Sequence, residues 1–592
     1  MKQFFKILFV TALLAGFSLS ARASTIGKNK PNLKDPKIIA AGEITYFKRC
    51  SFCHGLTGDG EGPVAQLIDP KPRDFTQPLF KFRTTASGVL PTDEDLFRTI
   101  SMGVKGTPMT FFDKEISKNG LTEQERWEVI SFIQTLNEFW AENESFKTSD
   151  DPDDREDYRY NKILMKYNDI PEPKLDPTKV EKGKQVFLDK KCWECHGPDG
   201  RGNGESNPTL KTDRGFKVHA RDLTKPWKYK GGNKIKDIFA RVTTGINGTP
   251  MPSFVDTITE EDRWAISHFV KSLQYERTDK EVLLVKKIDG ELPTDPNDPA
   301  WEQSEFTDLK LTGMVPVKPR WQNFAIDLVT VRALYNDQEI AFKLQWNDRT
   351  DDVEHDPNAE PVQGGKTLWQ SYTDKPENGL NNVVKTYVEY YDPVALSMSP
   401  DIPKEDFWKF RAHGKLRDAI SIQFPAKKQE GTRKPHFLNG DSQNPVNIWR
   451  WEADTDKVHE YLAQGIFKKW KDKGESKQIT ATSNKGAKKS MTEKSKKIWI
   501  GQWQVVIKRS LTTENTKKDI QFIPGKFIPF AINAWDGGNG ESGTNKSVST
   551  WNMVVLEIKT PAKVYVMAFL GFLVVGLLEV VAVKKVNGKN KA

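Results

Sequence analysis

The four cysteines of this 592-residue chain lie in two copies of one pentapeptide, and this arrangement constrains the fold more than any other feature. The copies are Cys50-Ser51-Phe52-Cys53-His54 and Cys192-Trp193-Glu194-Cys195-His196. In a Cys-x-x-Cys-His pattern, two thiols bond to the vinyl groups of a haem and the adjacent histidine binds its iron. We therefore predict two covalent c-type haems in a chain that moves electrons.

Two other chemistries use the same residue types. The thiols and histidines of the two copies could supply a shared zinc site, which needs four ligands. A redox-active dithiol is the second alternative, but it does not require a histidine after each pair. The haem pattern is favoured because both copies contain that histidine. No cysteine remains for a structural disulfide.

An internal repeat surrounds the two motifs and covers residues 42–136 and 183–273. Each copy has a helix-like entry, the haem motif, Gly-rich loops and an Arg-Asp-x-Thr segment. Each closes with a segment in which Thr122 or Thr259 precedes acidic residues, as at a capped helix start. We predict two small helical domains of one kind in tandem.

The repeat also provides candidates for a second iron ligand. Met109 and Met251 each follow a Gly-Thr-Pro segment and lie 55 residues after the motif histidine. The proline holds the loop extended and presents the thioether to the iron. Two core methionines are the alternative. Ligation by His and Met raises the haem potential and leaves no open coordination position, which disfavours a peroxidase.

This layout resembles class I cytochrome c domains in both repeats. The resemblance implies that Met109 and Met251 are distal iron ligands and that Arg73 and Arg221 contact haem propionates. The other histidines of the repeats, which we expect to be structural or surface residues, are His219 and His268.

The two ends of the chain predict its location. Residues 1–23 combine two lysines, an apolar run and Ala-Arg-Ala, which is typical of a secretory signal. Val564–Val583 has one charge and about twenty residues, enough to cross roughly 30 Å of hydrocarbon, although a buried core helix is the alternative. The lysines in 584–592 favour a cytoplasmic tail. We expect a body on the periplasmic side with a single anchor.

From Trp301 to Thr560 the chain has short alternating apolar segments separated by turn residues. This spacing predicts an antiparallel sandwich or barrel, and we take the sandwich as the expectation. Within it, the lysine-rich segment Lys468–Lys497 is expected to be a solvated, partly disordered insertion. The net charge of +9 is spread over mixed-sign stretches, so it gives little reason to expect nucleic acid as a partner.

The expected fold class is therefore α plus β in several domains. The expected order is a signal peptide at 1–23, cytochrome c domains at 38–142 and 179–276, linkers at 143–178 and 277–300, a β-sandwich at 301–560, a transmembrane helix at 564–583 and a tail at 584–592.

The third domain resembles the haem-binding gamma subunit of the ethylbenzene dehydrogenase group. The segments that carry the resemblance include LTGMVPVKPRW, LQWND, DAISIQFP, PHFLNGDSQNPVNIWRWEAD and AINAWDGGNGESGTNKSVSTW. That family implies one b-type haem between an axial Met and an axial Lys, here Met314 and Lys546. A core methionine and a surface lysine are the alternatives. Members often have Met where this chain has Gln423 or Asn439, which leaves Met314, His436 or an empty pocket.

The whole fusion resembles the membrane-associated gamma subunit of nitrite oxidoreductases and related nitrate reductases. The resemblance implies partnership with a molybdenum catalytic subunit and an iron–sulfur subunit, and electron flow through one b haem and two c haems to a soluble cytochrome c or terminal oxidase. The chain itself then has no catalytic residues. Two alternatives stay open: a self-contained haem oxidoreductase and a ligand-binding sandwich on a dihaem cytochrome.

Overall fold

The computed structural model describes residues 27–354, 416–558 and 562–589, apart from short gaps at 66–67, 69, 214, 216–217, 316–320, 322–323, 428–433, 454, 466–470, 492–496 and 517. The expected signal peptide at 1–23 lies outside the described residues.

Both repeats are helical, as predicted. The helices of the first are Pro36–Arg49, Ser51–His54, Asp93–Met102 and Glu123–Ile133, and those of the second are Pro177–Asp189, Trp193–His196, Ile235–Thr244 and Glu260–Ser272. Between them lie the helices Phe139–Phe146 and Pro152–Asp157 and short 3₁₀ turns. The side chains of Thr122 and Thr259 accept bonds from the third helical amide, so the predicted caps form.

In each repeat, the entry and closing helices cross at a glycine. A Cβ on Gly42 would lie 1.8 Å from the carbonyl oxygen of Glu128, and a Cβ on Gly183 would lie 2.0 Å from that of Ala265. Only glycine allows backbones to approach this closely. Gly42 and Gly183 occupy equivalent positions, so the entry and closing helices pack in the same way in both repeats.

The third domain is built from strands. They are β1 Val282–Lys287, β2 Phe306–Lys310, β3 Thr312–Gly313, β4 Leu328–Tyr335, β5 Glu339–Asn347, β6 Ala419–Pro425, β7 Val446–Glu452, β8 Thr455–Ala463, β9 Lys471–Ser483, β10 Lys488–Ser490, β11 Lys497–Trp499, β12 Gln502–Ser510, β13 Phe527–Trp535, β14 Ser547–Val548 and β15 Asn552–Leu556. Its core is rich in tryptophan, including the fully buried Trp449, Trp451 and Trp503.

The expected two-sheet antiparallel sandwich needs correction. Twelve strands form one hydrogen-bonded path in the order β15-β1-β4-β5-β12-β9-β8-β7-β6-β13-β14-β3, and β2, paired with β4, is the thirteenth strand of this sheet. β1 is parallel to both β15 and β4. β13 pairs with β15 through residues 527–530 and with β6 through 531–535, because one long strand passes from one neighbour to the other. The remaining pairs are antiparallel.

The lysine-rich segment at 468–497 is also more ordered than expected. Residues 471–483 form strand β9, which pairs with β8 and β12, and β10 pairs with β11. Much of β9 is exposed, so its lysines reach solvent while its backbone pairs with β8 over 471–480 and with β12 over 479–483. The absence of apolar periodicity was a poor guide here because backbone pairing does not require it.

A helix does form at the end of the chain, over Ala562–Lys589. None of the helices in the described part of the chain, however, combines the length and apolar character that a membrane crossing requires. The expected transmembrane helix at 564–583 is therefore not supported, and this part of the predicted fold class was wrong. The expectation came from the composition of the segment alone.

The two repeats contact each other through arginines. Arg241 donates to the carbonyl oxygens of Lys81 at 3.1 Å and Arg83 at 2.9 Å, and Arg83 donates to that of Thr244 at 2.7 Å. The second repeat also contacts the third domain. Ile498 of β11 is part of the apolar core of the second repeat, so this core is shared.

A buried ion cluster strengthens the contact between the second repeat and the third domain. Asp327 accepts from Lys225 Nζ at 2.7 Å and from Trp227 Nε1 at 2.7 Å, with Lys228 Nζ 3.4 Å away. Burial alone would raise the pKa of Asp327, but the two lysine charges hold it well below its usual range. Loss of one partner would leave buried charges without compensation.

We expect Asp327→Ala to lower the free energy of unfolding by about 3–5 kcal/mol, the cost of breaking a buried pair. Because the folded-state pKa of Asp327 is depressed, this stabilisation is fully present above the unfolded carboxyl pKa near ~3.9 and is lost as the pH falls below it. Denaturant unfolding of the haem-loaded protein at neutral and acid pH measures both effects. Glu261→Ala, which removes an exposed partner of Lys182, is the control and should cost less than about 1 kcal/mol. Equal losses in the two variants would contradict the assignment.

Candidate functional site

The two haem motifs have the same helical geometry. The amide of His54 donates to the carbonyl oxygen of Cys50 at 2.9 Å, and that of His196 donates to that of Cys192 at 3.0 Å. One helical turn therefore presents two thiols and a histidine together. The four cysteines are free and partly buried, and burial raises the pKa of Cys50 to about 12 and that of Cys192 to about 11.

Each motif histidine is oriented by one hydrogen bond. Nδ1 of His54 lies 2.9 Å from the carbonyl oxygen of Arg73, and Nδ1 of His196 lies 2.9 Å from that of Arg221. Because a carbonyl only accepts, Nδ1 must be protonated, and Nε2 retains the lone pair that an iron ligand needs. Burial lowers the pKa of both rings, which favours this neutral form.

A cavity of about 380 Å³ lies beside the first motif. Its lining brings together the residues that the sequence analysis assigned to one haem: Cys50, Cys53, His54, Arg73 and Met109. Phe75, Phe80 and Leu96 add apolar walls. Free thiols, an oriented imidazole and an apolar cavity fit a covalently attached haem.

The methionine loops of the two repeats make equivalent hydrogen bonds. The carbonyl oxygen of Met109 accepts from Val104 at 2.9 Å, and that of Met251 accepts from Ile246 at 3.0 Å. Each methionine amide also donates to the hydroxyl of the threonine two residues earlier, at 3.2 and 3.3 Å. The geometry that places Met109 on the haem cavity is therefore repeated around Met251.

A second cavity, of about 320 Å³, lies where both repeats meet the third domain. We call it the junction cavity. Arg73 of the first repeat, Arg221 of the second and Arg349 of the third domain line it. The sequence analysis found the first two residues but missed Arg349, because only the docking of the domains brings it there. Burial and then the charge of Arg349 lower the pKa of Arg221, and both arginines line this cavity.

The two residues expected to bind a b-type haem are brought together. The amide of Met314 donates to the carbonyl oxygen of Lys546 at 3.0 Å, which continues the pairing of β3 with β14. Residues directly opposite in such a pair point to the same side of the sheet. Both side chains are buried, with 0% of Met314 and 1% of Lys546 exposed, so Lys546 is not a surface lysine.

The environment of Lys546 suits a bound cofactor. Burial, followed by the charge of Arg450, lowers the pKa of Lys546 to about 7, which favours the neutral amine that a metal ligand must be. Its Nζ lies 3.4 Å from Asn439 Oδ1. A buried, largely uncharged amine opposite a buried methionine fits a bound haem b.

The other candidates for this site have different surroundings. His436 is exposed, and its Nδ1 accepts from the amide of Leu438 at 3.2 Å. The Gln423 amide donates to the carbonyl oxygen of Phe437. In the second repeat, His268 is buried and its Nδ1 accepts from the amide of Asp176 at 3.1 Å, while His219 lines the junction cavity beside Asn207.

Four carboxylates also cluster near the junction cavity. Oxygen atoms of Asp348, Asp352, Asp418 and Asp536 all lie within 4.8 Å of one another. Burial and mutual repulsion raise the pKa of Asp348 and Asp418 well above the usual range and that of Asp352 to about 6. The group accepts amide and indole bonds, including those from Trp503 Nε1 and the Gly537 amide to Asp418. In chemical terms it is a set of hard oxygen donors.

Two family models match the chain. The cytochrome c model matches residues 39–137 and 180–274, which are the two repeats. The ethylbenzene dehydrogenase model matches residues 298–499, within the third domain. The positions agree with the two helical haem domains and the strand-rich domain described above, so the cytochrome c domains are sites for haem c.

Two curated relatives are similar to parts of the chain. A respiratory nitrate reductase haem subunit, ORF7, of Haloferax mediterranei is 28% identical over 134 residues, which are 23% of this chain and 41% of that protein. The Cbb3-type cytochrome c oxidase subunit CcoP of Helicobacter pylori is 24% identical over 245 residues, which are 41% of this chain and 61% of that protein. The chain spans less than two thirds of either relative.

Solved structures add two partial likenesses. A chain of the reducing HAO-like protein complex of Kuenenia stuttgartiensis is 36% identical, with 40% of this chain and 96% of that chain covered and a TM-score of 0.33. A family 9 carbohydrate-binding module from Caldicellulosiruptor kristjanssonii is 7% identical, with coverages of 47% and 97% and a TM-score of 0.23. Both TM-scores are too low to assign a function. The chain thus contains two cytochrome c domains and an ethylbenzene dehydrogenase-type domain, and part of it is similar to a respiratory nitrate reductase haem subunit.

Proposed function

We propose that this chain is the electron-transfer subunit of a molybdenum-dependent oxidoreductase, and that it carries electrons through one b haem and two c haems. The observation that carries the proposal is the identical orientation of His54 and His196 by arginine carbonyls, with Met109 on the same cavity as His54. Closed His/Met ligation holds the iron in six coordination, so these haems relay electrons and do not bind substrate.

The chemistry of each c-type site follows from residues of the chain. The cysteines hold the haem covalently, the neutral histidine binds through Nε2, and the methionine thioether favours the ferrous state and so raises the potential. Apolar walls such as Phe75 and Phe80 exclude water from the haem face. Arg73 and Arg221 are proposed to contact propionates, since both line the junction cavity.

The third domain is proposed to hold haem b and to receive electrons. Met314 and Lys546 are the proposed ligands, supported by their burial, their pairing and the lowered pKa of the amine. A bound haem b would supply a one-electron centre between the partner subunit and the c haems.

The same proposal includes the partner subunits and the direction of electron flow. An iron–sulfur subunit would deliver electrons from a molybdenum catalytic subunit to haem b, and the c haems would pass them to a soluble cytochrome c or a terminal oxidase. Nitrite is the proposed reductant, because a weak reductant needs high-potential acceptors of the His/Met type. The location is proposed to be the periplasmic side of the cytoplasmic membrane, after export directed by residues 1–23.

A ligand-binding third domain is the second candidate, favoured by the same-side placement of Met314 and Lys546. Axial ligands approach an iron from opposite faces of the porphyrin. A pocket that binds a small molecule would not require the two side chains to approach the ligand from opposite faces. The Lys546 experiment below separates the two candidates.

We expect Met251→Ala to lower the potential of one c haem by on the order of 0.1 V, within the range of about 0.8 V that axial ligands span. The same variant should bind carbon monoxide at that haem, because the sixth position is open. Redox titration followed by visible spectroscopy measures the potential. Met109→Ala should change the other c haem alone. Titration curves unchanged from wild type would contradict the methionine assignment.

We expect Lys546→Met to change the haem b spectrum or to abolish haem b binding, while both c haems stay attached. Haem staining of denatured protein reports the c haems, and acid–acetone extraction followed by pyridine haemochrome spectra reports haem b. Lys310→Met, at an exposed lysine of the same domain, is the control. A third domain that contains no extractable haem in wild-type protein would favour the ligand-binding candidate.

We expect affinity purification of the tagged chain from native membranes to recover a molybdenum protein and an iron–sulfur protein in fixed ratio. The physical reason is that an electron-transfer subunit needs a donor within tunnelling distance. Metal analysis and mass spectrometry of the purified material are the measurements. A single polypeptide that oxidises nitrite without partners would instead support a self-contained oxidoreductase.

A further inference from the structure

The junction cavity has an excess of positive charge. Among its described lining residues, nine side chains are basic and five are acidic. Two of the acids, Asp222 and Asp327, already face Lys225. Burial and the neighbouring Asp536 carboxylate raise the pKa of Asp348 well above its usual range. The cavity therefore lacks anions relative to the cations around it.

Hydrogen bonds fix the second repeat against the third domain beside this cavity. His196 Nδ1 bonds to the carbonyl oxygen of Arg221, and the next residue, Asp222, accepts from Asn347 Nδ2 at 2.8 Å. Asn347 also donates to Thr224 Oγ1 at 3.0 Å. Asn347 ends strand β5, and Arg349 follows two residues later. The contact thus places Arg349 of the third domain on the same cavity as Arg221 of the second repeat.

Arg349 is also fixed from its own domain. The amide of the preceding Asp348 donates to the carbonyl oxygen of Gly501 at 3.1 Å, and Trp499 Nε1 donates to the carbonyl oxygen of Asp348 at 3.2 Å. Both the amide and the carbonyl group of Asp348 are therefore hydrogen-bonded, and these bonds fix the backbone that leads into Arg349.

Arg221 and Arg349 are unusual among the arginines of the cavity. Within the described part of the chain, neither side chain has a hydrogen-bond or ion-pair partner, and Nε of Arg349 is buried without one. Two guanidinium groups placed together repel each other, and this placement is unfavourable unless an anion lies between them. A carboxylate is the planar anion that matches the fork of arginine donors.

We propose that Arg349 of the third domain and Arg221 of the second repeat together bind a propionate carboxylate of the haem attached to Cys192 and Cys195. The assignment rests on the proposed function, since it requires a c-type haem at that motif. Arg349 is a positioning residue supplied by another domain. Its contact ties the second haem to the third domain and stabilises that haem in the ferrous state, because a nearby positive charge opposes the gain of charge on oxidation.

The position of the cavity favours a haem propionate over a free oxyanion as the bound anion. Arg221 is connected through its own carbonyl to the iron-binding ring, so its side chain starts at the haem edge. Gly248, three residues before Met251, lines the same cavity. The Arg221 segment and the loop that precedes Met251 thus both border the cavity that Arg349 lines.

The test compares Arg349→Gln with Arg349→Lys in the full-length, haem-loaded protein by spectroelectrochemical titration. Met251→Ala identifies which redox wave belongs to the second haem. Arg349→Gln should shift the reduction equilibrium of that haem at least threefold toward the oxidised form, and Arg349→Lys should restore most of the difference. Lys310→Gln, which removes a charge from an exposed ion pair of the same domain, should leave both potentials unchanged.

Two results would overturn the proposal. One is an Arg349→Gln protein with both c haems attached and both potentials equal to wild type. The other is a wild-type potential that moves when nitrite or nitrate is added to chloride-free buffer, and does not move in Arg349→Gln, since the ligand would then be a free oxyanion. Absence of covalent haem in wild-type protein would instead refute the proposed function, so the two failures are distinguishable.

Discussion

The hydrogen bond between each motif histidine and an arginine carbonyl is the contact on which the rest of the haem architecture depends. It settles the tautomer of the ring, leaves Nε2 with the lone pair that an iron ligand needs, and holds each histidine against the Arg73 or Arg221 segment. Because both arginines line the same junction cavity, these two local bonds also connect both motifs to one cavity. A local choice of hydrogen-bond partner thereby links each haem motif to the place where the three domains meet.

Local spacing allowed much of the haem architecture to be predicted from the sequence. Cys50, His54 and Met109 belong to one cavity because a helical turn and a repeated loop place them there, and both can be read from short segments. The contacts of Asp327 and Arg349 could not be read in this way, because their partners lie about a hundred or more residues away and depend on domain docking.

The strand-rich domain shows a second limit of sequence patterns. Alternation of apolar residues correctly indicated strands, but it does not specify which strands are neighbours. β13 joins two parts of the path because of its length, and β1, which lies within the expected linker 277–300, pairs in parallel with strands from far along the chain. The composition of 564–583 predicted a transmembrane helix that the helices of the described chain do not support. By contrast, Met314 and Lys546 were chosen from a resemblance and prove to be direct neighbours.

The sharing of Ile498 between the third domain and the core of the second repeat has a consequence for how the protein is made. The residue is 7% exposed and lies more than two hundred positions after the repeat it completes. The second repeat is therefore synthesised before one residue of its own apolar core. Among the described residues, the core of the first repeat comes from positions 33–140. The second repeat, unlike the first, thus depends on the third domain to complete its interior.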